Sequence, residues 1–224
     1  MKFHVLVGAV AGVAICATAA TAQVCQGDLS FRRNSTHVGG AVAVSNNSTS
    51  FGGGVTVGHP RGLYAGGSVG MASFDNVDGH SLAIGGGLGY SMPLQQRSNW
   101  QICPGGTVTA AFGPSIAVGN ATMKLSSQTV SLGTSIGTSV ALTKSINLLP
   151  FGSAAFGYTR ATAKLSGNNG SSTTNTDSYL LLGMGAGFQL TPSLVLRPNL
   201  NLAAGADLID DTIYGLSVSW ALPR

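Results

Sequence analysis

The sequence predicts an all-β protein: a closed antiparallel transmembrane β-barrel of ten strands, with eight as the alternative count. Three observations lead there. Apolar residues recur on every second position in segment after segment, the period of a strand with one greasy face. Only 8% of the 224 residues are charged while 44% are hydrophobic, whereas a soluble domain carries about 25% charged residues. Beyond the N-terminus no uninterrupted apolar run reaches the length of a membrane helix, about 18–20 residues. A membrane-crossing structure must then be made of strands, because only helices and closed barrels satisfy every backbone group in lipid.

The N-terminus reads as an export signal. Met1-Lys2 is a positive start, Phe3 to Ala19 is largely apolar, and Ala20-Thr21-Ala22 is a small-x-small cleavage site before Gln23. A lipid anchor on Cys16 is disfavoured, because the bulky Ile15 precedes it. The expected organisation is a signal peptide over 1–22, a periplasmic N-terminal segment over 23–36, and one barrel domain over 37–224. Losing Lys2 leaves 10 Lys+Arg against 7 Asp and no Glu, a net charge of +3. The cations are scattered, without a basic stripe or interleaved aromatics, which argues against nucleic acid as a partner.

The strands follow in order. Residues 37–45 and 51–58 are short candidates. Leu63, Ala65, Val69 and Met71 oppose Gly66, Ser68 and Gly70. Leu82, Ile84, Leu88 and Tyr90 oppose Ala83, Gly85, Gly87, Gly89 and Ser91. Residues 100–112 follow. Val130 to Leu142 alternates most cleanly, with apolar or β-branched residues at even positions and Ser, Gly or Ala at odd ones. After 149–164 come Leu180, Leu182, Met184, Phe188 and Leu190, opposing Gly183, Gly185, Gly187 and Gln189. Leu194, Leu196, Leu200 and Leu202 oppose Arg197, Asn199 and Asn201. The last strand, Tyr214 to Trp220, ends on an aromatic.

The connections predict two unlike ends. His59-Pro60-Arg61, Pro93 to Ser98, Lys144 to Asn147 and Thr191-Pro192-Ser193 read as tight turns. Ser45 to Ser50, Asp75 to Gly79, Gly113 to Ser127, Ser166 to Asp177 and Gly205 to Asp211 read as loops on the opposite side. Those at 113–127 and 166–177 are long and polar and are expected to be flexible. A soluble β-sandwich would show similar alternation, but its wet face should carry Lys, Glu, Thr and Arg. Here the small face is Gly and Ser, which suits a lumen and would make a sticky open sheet.

The export signal, the Gly-rich dyads, Thr191-Pro192-Ser193 before the Leu194-Val195-Leu196-Arg197-Pro198 strand, and the aromatic-ended last strand resemble the small bacterial outer-membrane β-barrels, the OmpA-like and opacity-protein-like group. The resemblance covers the whole mature chain. It implies the bacterial outer membrane as location, and outer-membrane lipid and the barrel-assembly machinery as partners. Tyr214, Leu216, Val218 and Trp220 are then the closing-strand assembly signal, although in that group the aromatic is usually the final residue and here Ala221-Leu222-Pro223-Arg224 follow.

Candidate sites are few. Cys25 and Cys103 survive processing and, in an oxidising envelope, are expected to pair, with two free thiols as the alternative. Parity turns Cys103 inward near the periplasmic turn, so the bond would tether 23–36 at the periplasmic mouth. Arg197, Asn199 and Asn201 form a lumen stripe, either a filling hydrogen-bond network or a selectivity element favouring anions. Proteolysis would draw on Asp75, Asp78 and His80 in one outer loop and Asp207, Asp210 and Asp211 in another. A lipid esterase needs nucleophile and base side by side, but His80 and Ser81 are adjacent and so point to opposite faces. Nothing recruits His37 or His59. Gly85-Gly86-Gly87 and Gly183 to Gly187 lack the following helix that a phosphate loop needs. No metal-ligand spacing appears, and no cofactor is expected. Asn34-Ser35-Thr36 and Asn47-Ser48-Thr49 match glycosylation acceptors of no weight in a bacterial envelope.

The functional expectation is a structural or surface-interaction barrel, meeting an extracellular ligand through 113–127 and 166–177. A narrow channel for small polar solutes or ions is the alternative, and an outer-membrane hydrolase of omptin type the third. The chain is expected not to be an enzyme.

Overall fold

The computed structural model describes residues 24–29, 36–75, 77–94, 99–118, 121–143, 145–166, 170–206 and 212–222. The signal peptide predicted over 1–22 lies outside them.

Ten long strands form the wall: β1 (Thr36–Val44), β2 (Ser48–Gly58), β3 (Leu63–Phe74), β4 (Val77–Tyr90), β5 (Gln101–Val118), β6 (Ala121–Gly137), β7 (Asn147–Ser166), β8 (Ser171–Thr191), β9 (Leu194–Ala204) and β10 (Thr212–Ala221). Two-residue strands at Met92–Pro93 and Val140–Ala141 extend the edges of β5 and β7. Each long strand pairs antiparallel with the next, and β1 pairs with β10 from His37↔Ala221 to Val44↔Tyr214. The sheet therefore closes as an up-and-down barrel with no free edge. We call the end where β1 starts and β10 finishes the lower end. No helix among the described residues is long and apolar enough to cross a membrane, which for a barrel is expected.

The period-two code sets the two faces as predicted. Val38, Phe51, Val69, Ile84, Val108, Leu132, Phe156, Leu182 and Trp220 are exposed on the outside. Small or polar residues such as Thr56, Ser81, Thr109 and Ser135 are buried inside. Glycines on the inner face make room for large neighbours: a Cβ on Gly89 would strike the Tyr64 ring and one on Gly157 the Tyr179 ring.

The wall is uneven in height. β1 and β10 have 9 and 10 residues, about what one membrane crossing needs. β5, β6, β7 and β8 have 18, 17, 20 and 21. At roughly 3.3 Å per residue, twenty residues run about 66 Å, well beyond a tilted crossing.

This corrects the expectation of flexible loops at 113–127 and 166–177. Ser115 to Val118 pairs with Lys124 back to Ala121, and Ser171 to Asp177 pairs with Leu165 back to Thr159. Gly113-Pro114, read as the start of the 113–127 loop, is instead a bulge between Phe112 and Ser115, a position where the missing proline N–H is harmless. The predicted strand 130–142 likewise starts earlier, at Ala121, and ends at Gly137.

Above the apolar belt the faces exchange character. On β6 and β7, Leu125, Ala161 and Ala163 turn inward and are buried, while Lys124, Arg160 and Lys164 turn outward. Ala72, Phe74, Ala83, Ala111, Leu125 and Ala163, with Ile116 and Met123, form an apolar cluster inside the upper barrel. A second cluster joins Ala43, Tyr179, Ala203 and Ile213. The exchange marks where lipid gives way to water: a greasy face looks outward in lipid and inward above it.

Candidate functional site

The lower mouth holds a plug. Val24–Gln26 forms a single 3₁₀ turn, and Gly27 leaves it with φ +73°, a conformation glycine adopts without steric cost. The turn packs against β5, β6 and β7. Its fit depends on bare backbone, since a Cβ on Gly187 of β8 would strike the Gly27 carbonyl.

Four interactions hold the plug. Cys25 is bonded to Cys103 of β5, with Cα atoms 6.0 Å apart and a sequence separation of 78. Gln26 Nε2 donates to the Tyr64 hydroxyl at 3.3 Å. Arg197 Nη1 donates to the Gln26 carbonyl at 2.8 Å, and its Nε donates to Ser217 Oγ at 3.0 Å. Asp28 Oδ1 accepts from Ser219 Oγ at 2.6 Å and from the Leu29 N–H at 2.7 Å. The Arg197 guanidinium also lies 6.0 Å from the centre of the Phe151 ring, within cation–π range. Val24, Leu149 and Val195, with Leu29, give the plug an apolar seat.

Above the plug is a cavity of about 180 Å³, whose polar lining includes Gln26, Thr107, Ser131, Ser135, Arg197 and Asn201. Thr107 and Ser131 hydroxyls meet at 2.6 Å, and those of Thr129 and Thr159 at 2.8 Å one layer up. From below, the lumen thus runs from plug to wet chamber to hydroxyl layer to apolar cluster.

The three predicted stripe residues share the inner face of β9. Arg197 is 7% exposed and spent on the plug. Asn199 and Asn201 lie against Gly215 and Gly183, where a Cβ would meet their side-chain oxygens. Of the three, Arg197 joins the plug to β10 through the Gln26 carbonyl and Ser217 Oγ. Tyr214, Leu216, Val218 and Trp220 face outward on β10. Sequence reasoning missed Gln26, Asp28, Tyr64, Phe151, Ser217 and Ser219. Parity alone placed Tyr64, Ser217 and Ser219 on the inner face, but what they would meet there had no local signal.

Of the hydrolytic candidates, Asp75 and His80 are exposed near the upper ends of β3 and β4. Asp207, Asp210 and Asp211 lie outside the described residues. His80 is exposed and Ser81 fully buried, on opposite faces as adjacency requires. Cross-strand pairing instead gives His80 a different serine: Ser73 Oγ lies 2.9 Å from His80 Nδ1 on the exposed face. His37 is buried in the wall and His59 exposed at a lower turn. Among the described residues no group of three His, Cys, Asp or Glu could hold a metal.

A closed antiparallel meander, greasy outside and polar within, defines a β-barrel membrane protein. The chain matches the family model described as outer membrane protein beta-barrel domain over residues 8–221, and it belongs to that family. It therefore resides in the bacterial outer membrane. The β domain of the Bordetella autotransporter Brka is similar in structure, with TM-score 0.54 and 12% identity over 85% of this chain and 100% of that one. Ail, the attachment invasion locus protein of Yersinia pestis, has TM-score 0.41 and 13% identity over 84% and 98%. The KdgM porin has TM-score 0.37 and 7% identity over 83% and 99%. No curated protein matches the sequence.

Proposed function

We propose that this chain is a non-conducting outer-membrane barrel that works at the cell surface, with its plugged end in the periplasm and its tall β5–β8 wall outside. The observation that carries the reading is that wall. From Leu165↔Ser171 downward, β7 and β8 continue their ladder well past the apolar belt, and they present a rigid, hydroxyl-rich outer face. Rigid strands lose less entropy on meeting a partner than mobile loops do. The plug argues against conduction, because a disulfide and a buried arginine hold it in the lower mouth.

A narrow channel is the second reading, favoured by the polar chamber above the plug. Planar-bilayer recording of the oxidised protein separates the two. The surface reading expects a silent bilayer, and a resolved, salt-dependent unit current would overturn it in favour of the channel.

A further inference from the structure

We propose that the outer face of β6 and β7 binds one phosphorylated lipid of the outer leaflet, its phosphates on Lys124, Arg160 and Lys164 and an acyl chain in the groove beside them. Of the described Lys and Arg residues, Arg61 and Arg197 lie toward the lower end, and the other three share this face. Lys124 and Lys164 are direct cross-strand partners, and Arg160 faces Gln128 four positions below Lys164. Like charges directly opposite one another destabilise a sheet, so the pairing needs an anion to offset it. Among the described residues no acid faces the pair. The sequence contains no Glu, and the nearest described acid along the strands, Asp177, pairs with inward-facing Thr159. The neighbours on the face are Ser126, Thr162, Thr174 and Thr176, all neutral hydrogen-bonding groups; Thr162 and Thr174 hydroxyls lie 3.3 Å apart.

Depth identifies the anion as a lipid's. Tyr158, exposed two residues below Arg160, sits at the top of the apolar belt, where tyrosine favours the headgroup boundary. On a strand tilted about 45°, Arg160 stands roughly 5 Å above that level and Lys164 roughly 14 Å above it. One glycerophosphate would not reach both levels. A sugar headgroup bearing two phosphates would.

The second part of the site is apolar. A groove of about 410 Å³ runs over the outer face of β4–β6, lined by Ile84, Gly86, Val108, Ala110, Gln128 and Val130. Gly86 and Ala110 are small residues of this lining, among the larger Ile84, Val108 and Val130. The groove's lining includes Gln128, the direct cross-strand partner of Arg160. A chain lying in it would carry its headgroup to the cations.

The test uses the full mature barrel in neutral detergent, with diphosphoryl lipid A as probe and native mass spectrometry as readout. The wild type should retain one probe molecule, and retention should weaken as salt rises. Replacing Lys124, Arg160 and Lys164 by Gln should weaken binding roughly fivefold per cation, about 100-fold together. Ala110→Leu should weaken it with all charges intact. Heat-modifiable migration reports folding of each variant; if the triple variant does not fold, Arg160→Gln alone carries the charge test. Equal retention by wild type and folded charge variants would overturn the proposal. So would displacement of the probe by millimolar inorganic phosphate, which would mean a site for free anions, or preferential retention of a sulfated polysaccharide over the lipid.

Discussion

Arg197 and Gln26, 171 residues apart in sequence, meet inside the barrel: the Arg197 guanidinium donates to the Gln26 carbonyl at 2.8 Å. The wall thereby holds the N-terminal segment by a charge-assisted bond in addition to the disulfide. Arg197→Met would keep the length and apolar stem but leave the Gln26 carbonyl and the Ser217 hydroxyl without this donor. It should destabilise the barrel by about 1–3 kcal/mol, read as a lower temperature for loss of the heat-modifiable band. Arg197→Lys should recover only part, because one ammonium cannot span both acceptors as the guanidinium fork does.

Cys25→Ser should also lower stability. The bond closes a long loop, with a sequence separation of 78, and such a cross-link restricts the unfolded chain by about 4.5 kcal/mol in the loop-entropy model. Thermal unfolding with and without reductant checks this: the wild type should shift on reduction and Cys25→Ser should not.

Gly187→Ala should be costly and Gly152→Ala should not. A Cβ at Gly187 strikes the Gly27 carbonyl, whereas one at Gly152 meets nothing nearer than 3.8 Å. We expect a loss of about 1–3 kcal/mol for the first, as for other overpacked sites, and near-neutral unfolding for the second. Equal losses would remove the close approach of plug and wall as the explanation.

Arginine scanning should locate the membrane surface. Leu132→Arg places a charge in the outward apolar belt, where Leu132 is 66% exposed, and should cost about 2–4 kcal/mol. Thr174→Arg, on the same outer surface but within the projecting β7–β8 wall, should cost about 0–1 kcal/mol. Urea unfolding of the two variants in vesicles measures the contrast.

The barrel was legible in the alternation of apolar residues alone. Apolar parity from Leu63 to Met71, Leu82 to Tyr90 and Leu180 to Leu190 named the lipid face, because a lipid-facing strand must be greasy at every second residue. The same rule turned Cys103, Arg197, Asn199 and Asn201 inward. It failed where water replaced lipid. Above Tyr158 the outer face no longer needs apolar residues, so Ser171 to Asp177 lost its strand signature while keeping its ladder, and Gly113-Pro114 read as the start of a loop where it makes a bulge. What fills the lumen and what gathers on the wall came instead from folding of the whole chain. Arg197 with Gln26, Asp28 with Ser219, and Lys124 opposite Lys164 are products of closure and register. Period two fixes which face a side chain takes, and only the closed sheet fixes which distant residue it meets there.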